Sequence, residues 1–176
     1  MSENKLDKTD KAIRAISLKA PMTNYLIKNT NIIFDNEHRA YDLIHCEERS
    51  DHNPKSCKHG LMDLHVETWQ EKPFQIVAVS FNYIQNGDLM RDPEIVYRFQ
   101  MKDPNENPSL SDLEITEIPI EYTMSSLGVY QRTYETIDGK EYVNLKLIKE
   151  LQQQLKRNVK HCKEFRYYQK TKEDSA

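Results

Sequence analysis

The sequence predicts an α+β fold, an antiparallel sheet of about four to six strands covered on one face by a long C-terminal amphipathic helix. Two observations predict it. Apolar and polar side chains alternate from Leu61 onward, which is the period of strands with one buried face. Between Leu147 and Cys162 the apolar positions instead step by three and four, which is the period of one helix face. Laying this helix on the sheet buries both apolar surfaces.

Turn and breaker residues refine the strands. Asp138-Gly139 stands between β-prone flanks and predicts a hairpin with a type I′ turn. Pro119 predicts a bulge or an edge, because proline cannot donate to a strand ladder. Residues 73–84 are apolar on both faces, which is typical of a central strand. The strand pattern occupies residues 61–69, 73–84, 93–101, 113–124 and 129–143.

The sequence predicts helices near both ends of the chain. Asn144 is a suitable N-cap for the C-terminal helix. Near the N-terminus the spacing of Ile13 and Ile16 predicts a short helix that stops before Pro21. The following segment favours a helix and then a strand at about 40–46.

Length and composition favour one soluble domain over residues 1–176, with a helical and loop part at 1–59 and the sheet plus helix at 60–165. The chain is 38% hydrophobic and 30% charged, without an apolar run long enough to cross a bilayer. Three cysteines and a polar N-terminus fit a reducing, cytoplasmic setting. The net charge of −3 is unevenly distributed, because residues 88–121 are mainly acidic and residues 140–172 mainly basic.

Residues 86–94 combine a turn dipeptide with acidic side chains. Asn86-Gly87 reverses the chain and Asp92-Pro93 restarts it, which predicts a strand-to-strand connection of about ten residues. A hard cation could be held by Asp88, Asp92 and Glu94, but their spacing is not that of a calcium-binding loop. Solvated acids in a turn are therefore the favoured interpretation.

Three stretches carry a family resemblance: "QNGDLMRDPEIVYRF", "GVYQRTYETIDGK" and "VNLKLIKELQQQLKRNVK". Over residues 60–165 the chain resembles an uncharacterised family of small proteins carried on plasmids, phages and other mobile elements. The resemblance implies no catalytic residue. It implies a context in which accessory proteins bind and inhibit host machinery or support plasmid transfer.

The leading hypothesis is a non-enzymatic protein that binds a partner protein and inhibits host defence machinery. No cofactor and no membrane is expected, and the partner's identity and the oligomeric state stay open. The contact is expected at the turn region and its acidic edge, through Asn86, Gly87, Asp88, Met90, Asp92 and Glu94.

A second hypothesis is nucleic-acid binding by the basic C-terminal helix, with Phe165, Tyr167 and Tyr168 available to stack on bases. A sequence pI near 6.1 is unusual for a small nucleic-acid-binding protein. The helix could instead lie in solvent or neutralise the acidic region of the same fold. The residues expected to bind are Lys156, Arg157, Lys160, Lys163 and Arg166.

Metal chemistry provides two further hypotheses. Zinc could be held by Cys46, Cys57, His59 and His65, although no CxxC pair is present. A metal-dependent hydrolase could use Asp63, His65, Asp88 and Asp92.

Overall fold

A computed structural model describes residues 20–44, 62–100 and 116–170. These residues form a large sheet, a separate hairpin and two α-helices that pack on one face of the sheet. The helices are α1 (Pro21–Asn29) and α2 (Leu145–Glu164). The strands are β1 (Arg39–Ile44), β2 (Asp63–Glu71), β3 (Phe74–Gln85), β4 (Asp88–Gln100), β5 (Ile118–Met124), β6 (Val129–Arg132), β7 (Tyr134–Ile137), β8 (Lys140–Val143) and β9 (Tyr168–Gln169).

The large sheet has seven strands in the order β6-β5-β4-β3-β2-β1-β9, and every pair is antiparallel. The first six strands follow the chain as a meander, and β9 returns after α2 to pair with β1. The α+β class is confirmed, but the predicted number of strands is too low. Strand β9, which no pattern predicted, has two residues and is too short to show an alternating pattern.

The hydrophobic core lies between the sheet and the helices. The apolar stripe of α2 is buried as predicted, with Ile148, Leu155 and Cys162 fully inaccessible to solvent. It packs in one cluster with inward-facing residues of the central strands, among them Val79 and Tyr97. Neither described helix is long and apolar enough to span a bilayer.

Several local predictions are confirmed. Asn144 caps α2, because its Oδ1 accepts a hydrogen bond of 3.0 Å from the backbone N–H of Leu147. Asp138 and Gly139 have φ of 50° and 73°, as the type I′ turn of the β7–β8 hairpin requires. The register between β4 and β5 shifts opposite Pro119, which is the expected bulge.

Helix α1 begins at Pro21, before which the sequence predicts that a helix stops. Proline at the first helical position is favourable, since its missing N–H needs no partner there. The predicted helix within residues 9–20 falls almost entirely outside the described residues. The preference for a helix followed by a strand is confirmed by α1 and β1.

The N-terminus of α1 is capped from a distant part of the chain. The Glu117 carboxylate accepts a hydrogen bond from the backbone N–H of Thr23, and the Thr23 hydroxyl donates to the Tyr97 hydroxyl at 3.1 Å. Glu117 is completely buried, and no described residue bonds its Oε2. Burial raises the pKa of Glu117 to about 7, against the lowering effect of the backbone N–H groups. Glu117, which directly precedes β5, thus connects the start of that strand to α1.

Candidate functional site

The turn at Asn86-Gly87 joins two long strands directly. Its residues have φ of 53° and 87°, so it is a tight two-residue turn. The predicted connection of about ten residues is wrong, because Met90, Asp92 and Glu94 belong to strand β4. Residues two apart in a regular strand share a face, but the register between β3 and β4 shifts between Ser80 and Asn82. Past this irregularity Asp92 faces α2, whereas Glu94 lies beside Arg91 on the opposite face. The six expected partner-binding residues therefore do not form one surface.

The tip of this β3–β4 hairpin is exposed. Strand β2 pairs with β3 as far as Asn82, and β5 pairs with β4 as far as Glu94. Beyond these residues β3 and β4 pair with no other strand of the described chain than each other, and the tip residues Asn86, Gly87 and Asp88 are exposed. The hairpin therefore projects beyond the edge of the sheet.

Asp92 holds the base of this hairpin together. Its Oδ2 accepts a hydrogen bond of 2.8 Å from the Tyr83 hydroxyl, and the Ser126 N–H donates to both carboxylate oxygens at 3.1 and 3.2 Å. Burial alone raises the pKa of Asp92, but the hydrogen bonds from Ser126 and Tyr83 outweigh it and place the pKa below its usual range. Asp92 has 8% of its surface exposed. Its hydrogen bonds connect β4 with β3 and with the segment that follows β5, and it is also a candidate ligand group.

Charged side chains on the outer face of the sheet form one network around Glu67. His38 Nε2 lies 3.0 Å from Glu67 Oε2, and His65 Nε2 lies 3.2 Å from Glu67 Oε1. His65 Nδ1 in turn lies 2.7 Å from Asp42 Oδ1. Burial alone raises the pKa of Glu67, but the His38 hydrogen bond and the nearby charges of His65 and Arg91 outweigh burial and lower the pKa below its usual value. The charges of this face are thus largely compensated within the fold.

Arg91 extends the same network to the base of the hairpin. Its Nη1 is 2.9 Å from Glu94 Oε2, and its Nη2 is 3.7 Å from Glu67 Oε1. Glu94 is therefore engaged in an internal ion pair. The carboxylate of Glu94 is therefore less available for the expected contact with a partner protein.

The proposed hydrolase residues do not come together. His65 lies in the outer-face network, Asp88 at the hairpin tip and Asp92 in the joint with Ser126. Asp63 starts β2 opposite Asn82. In the described ranges, no three His, Cys, Asp or Glu side chains are grouped so that they could hold a metal ion. Of the proposed zinc ligands, Cys46, Cys57 and His59 lie outside the described residues.

The basic residues of α2 form an exposed row on its solvent side. Lys149, Lys156, Lys160 and Lys163 are spaced by three, four and seven residues and are all exposed. Among the described residues none of them has an ion-pair partner, and the ion pair within α2 joins Lys146 to Glu150 at 3.9 Å. Arg166, which follows the helix, is also exposed.

This row does not neutralise the described part of the acidic region. Glu94 pairs with Arg91, and Glu121 lies 3.5 Å from Arg132. Glu94 and Glu121 thus find their cations within the sheet, and Asp92 and Glu117 instead accept hydrogen bonds from uncharged groups. The lysine row remains facing solvent.

The aromatic residues after α2 are less available than expected. Tyr167 is buried, and its hydroxyl donates a hydrogen bond of 2.6 Å to the carbonyl oxygen of Met62. Phe165 is half-buried against His161, with ring centroids 4.7 Å apart. Tyr168 alone of the three is exposed, with 36% of its surface accessible. The prediction that Tyr167 can stack on a base is therefore wrong.

A cavity of about 330 Å³ lies between the base of the hairpin and α2. Met62, Phe81 and Pro93 form its apolar lining. This volume is at the lower end of the range of about 300–1,000 Å³ for small-ligand sites.

The polar lining of the cavity brings together two regions that the sequence analysis treated separately. Asp92 comes from β4, and Gln154, Arg157, Asn158 and His161 come from one side of α2. Arg157 donates from Nε and Nη2 to Gln154 Oε1 at 3.2 and 2.6 Å, and Gln154 Nε2 donates to Asn158 Oδ1 at 2.9 Å. Asp92 and Arg157 make no ion pair with each other, so two opposite charges face one cavity separately.

Sequence reasoning missed Gln154, Asn158 and His161 as site residues. Their helical spacing, which places them on the same side as Arg157, was the one signal that could have indicated them. That signal has meaning only once a facing element is known. The facing element is β4, which is more than fifty residues away in sequence.

One comparison with known proteins finds a matching family. A family model described as a domain of unknown function (DUF6908) matches residues 41–164. The match covers the chain from β1 to the end of α2 and begins earlier than residue 60, where the resemblance was expected to start. No curated protein and no solved structure matches the chain significantly.

Proposed function

The chain belongs to the DUF6908 family, so its function has to be argued from its own geometry, and we propose that it binds nucleic acid without catalysis. The contact surface is the solvent side of α2. The observation that carries the proposal is the row of exposed lysines that have no ion-pair partner among the described residues. Phosphate contacts of this kind supply most of the non-specific affinity for nucleic acids.

The row has a length suited to a nucleic-acid backbone. At about 1.5 Å rise per residue, Lys149 and Lys163 are about 21 Å apart along the helix axis. Several consecutive phosphates of one strand fit along that distance. A lysine ammonium is a strongly hydrated point charge on a flexible stem, which suits backbone binding without sequence preference.

Charge around the row is also predominantly positive. An open groove between the C-terminal end of α1 and β9 is lined by Lys28, Lys170 and Tyr168. Glu150 and Glu164 are the acidic residues of α2. The basic residues of α1, α2 and the segment after α2 are Lys28, Lys146, Lys149, Lys156, Arg157, Lys160, Lys163, Arg166 and Lys170.

This local excess of positive charge is compatible with nucleic-acid binding despite the sequence pI near 6.1. A net charge of −3 describes the whole chain, whereas a polyanion responds to the field at the face it approaches. The compensated network on the outer face of the sheet leaves the basic helical side as the attractive one.

The test is fluorescence anisotropy with a labelled single strand and with a duplex of equal length, repeated from about 50 to 200 mM salt. The matched variants are K156A/K160A and K72A/K140A, which remove two exposed positive charges each. We expect K156A/K160A to reduce the slope of log K against log salt by about 1.4 on the single strand.

The control pair lies on the turn between β2 and β3 and on the β7–β8 hairpin, outside the lysine row. We expect K72A/K140A to leave the slope unchanged. No binding of either probe at the lowest salt, or equal slopes for the two variants, contradicts the proposal.

A second candidate function is binding of a partner protein by the hairpin tip. The observation that favours it is the projection of β3 and β4 beyond their neighbouring strands, with Asn86, Gly87 and Asp88 exposed. In a mobile-element context the partner is a host protein, and binding inhibits host defence. A pulldown from host extract with wild-type protein and with N86A/D88A tests this, and a captured protein retained equally by both excludes the tip.

A further inference from the structure

The cavity between β4 and α2 has one anionic and one cationic wall. Asp92 is on the β4 side and Arg157 on the α2 side, and apolar Phe81 and Pro93 lie in the same lining. A plain phosphate pocket is excluded, because the Asp92 carboxylate repels a second anion nearby. A ligand that fits must carry its negative charge at one end and neutral hydrogen-bond donors at the other.

We propose that this cavity holds one base of a single-stranded nucleic acid, with the attached phosphate at Arg157. The inference rests on the proposed function and specifies its ligand as a single strand. A small zwitterion has a similar charge pattern, but the lysine row on the same helix favours a ligand whose backbone continues beyond the cavity.

Arg157 is held ready for a phosphate. Gln154 Oε1 accepts from its Nε and Nη2, which fixes the guanidinium plane at the cavity rim. Its Nη1 has no partner among the described residues and can donate to a phosphate oxygen. Lys156 and Lys160 flank Arg157 in sequence, so the next phosphates along the strand would reach the lysine row.

The opposite side of the cavity suits the edge of a base. The Asp92 carboxylate already accepts hydrogen bonds from the Tyr83 hydroxyl and from Ser126, so what it offers to a base N–H is the negative charge that it places on the cavity wall. Asn158 Oδ1 is used by Gln154, and its amide nitrogen can donate to a ring nitrogen or carbonyl of the base. Phe81 supplies apolar and aromatic surface for the base.

The cavity cannot accept a base that remains paired in a duplex. It lies between a strand and a helix, and its volume of about 330 Å³ suits one small ligand. A paired base has its edge occupied and its faces stacked, so only an unpaired base can enter. We therefore expect a single strand to bind more tightly than a duplex at the same salt.

The test compares Q154F with Q154A on both probes. Phenylalanine at position 154 fills the cavity, whereas alanine removes the Arg157 tether and leaves the cavity open. Gln154 is only partly buried, so both variants are expected to fold, which circular dichroism and thermal melting check. We expect Q154F to weaken single-strand binding by roughly 10- to 100-fold, the range of one stacked base, and Q154A by a few-fold.

The outcomes separate the two proposals. Duplex binding should change by only a few-fold in either variant if backbone contacts alone carry it. Equal losses for Q154F and Q154A, or equal losses on single strand and duplex, overturn the base pocket while the lysine row stands. If neither probe binds the wild type, the proposed function itself fails.

Discussion

The two charged surfaces of this protein differ in what their charges contact. On the outer face of the sheet, Glu67 contacts His38, His65 and Arg91, and its carboxylate has little unsatisfied capacity. On the solvent side of α2, Lys156 and Lys160 are exposed, and no described residue forms an ion pair with either. A charge that is already compensated contributes to the fold, whereas an exposed, uncompensated row can attract an external polyanion.

The comparison separates stability from binding. Changes in the packed or paired residues should alter the free energy of unfolding, and changes in the lysine row should alter affinity alone.

The largest effect is expected from removing the anchor of the helical layer. Leu155 is fully buried in the core cluster, so Leu155→Ala should lower the free energy of unfolding by about 2–5 kcal/mol. Leu145 at the exposed start of α2 is the matched control, and Leu145→Ala should cost well under half as much. Urea denaturation measures both, and equal losses would show that α2 is not docked as described.

Glu117 should make stability depend on pH in an unusual direction. Its pKa is raised to about 7 in the folded state, so the folded protein binds the proton more tightly than the unfolded chain does. The free energy of unfolding should therefore fall as the pH rises from about 4.5 to 7, by an amount on the order of 3 kcal/mol.

Glu117→Gln should remove this dependence, because the amide is neutral at every pH and its oxygen can still accept from the Thr23 N–H. Glu150→Gln, at an exposed position of α2, is the control and should keep it. Denaturation at several pH values measures the difference, and a Glu117→Gln variant with the wild-type pH profile contradicts the assignment.

Glu67 should show the opposite sign. Its pKa is lowered in the folded state, so it stabilises the fold above the unfolded-state value near 4.5, and this contribution is lost as the pH falls below it. Glu67→Gln should cost about 1 kcal/mol at neutral pH, since the carboxylate is only 20% exposed. Glu135→Gln, on an exposed strand, should have no measurable effect. Thermal melting at pH 7 and pH 4 compares them.

The smallest effect on stability is expected for the row itself. Lys156→Ala removes an exposed, unpaired side chain and should change the free energy of unfolding by no more than about 0.5 kcal/mol. It should still lower the salt slope of single-strand binding by about 0.7. A loss of stability as large as that of Leu155→Ala would mean that the row supports the fold.

Local patterns were enough to predict much of the fold. The helix from Asn144 onward, the Asp138-Gly139 turn and the central strands follow from periodicity, capping and turn chemistry, all of which act within a few residues. The wrong prediction of a long connection at residues 86–94 had a local cause as well. The acidic residues and Pro93 are typical of a loop, although β3 and β4 remain paired there.

What this chain determined by itself, therefore, is which segments become strands and helices and which of their faces are apolar. Tertiary structure decided that Asp92 meets Ser126, that Glu117 caps α1 and that Asp92 and Arg157 share a cavity. These contacts join residues separated by tens of positions, and no local period encodes them. They arise because burying the apolar stripe of α2 on the sheet brings polar side chains from distant segments to the same place.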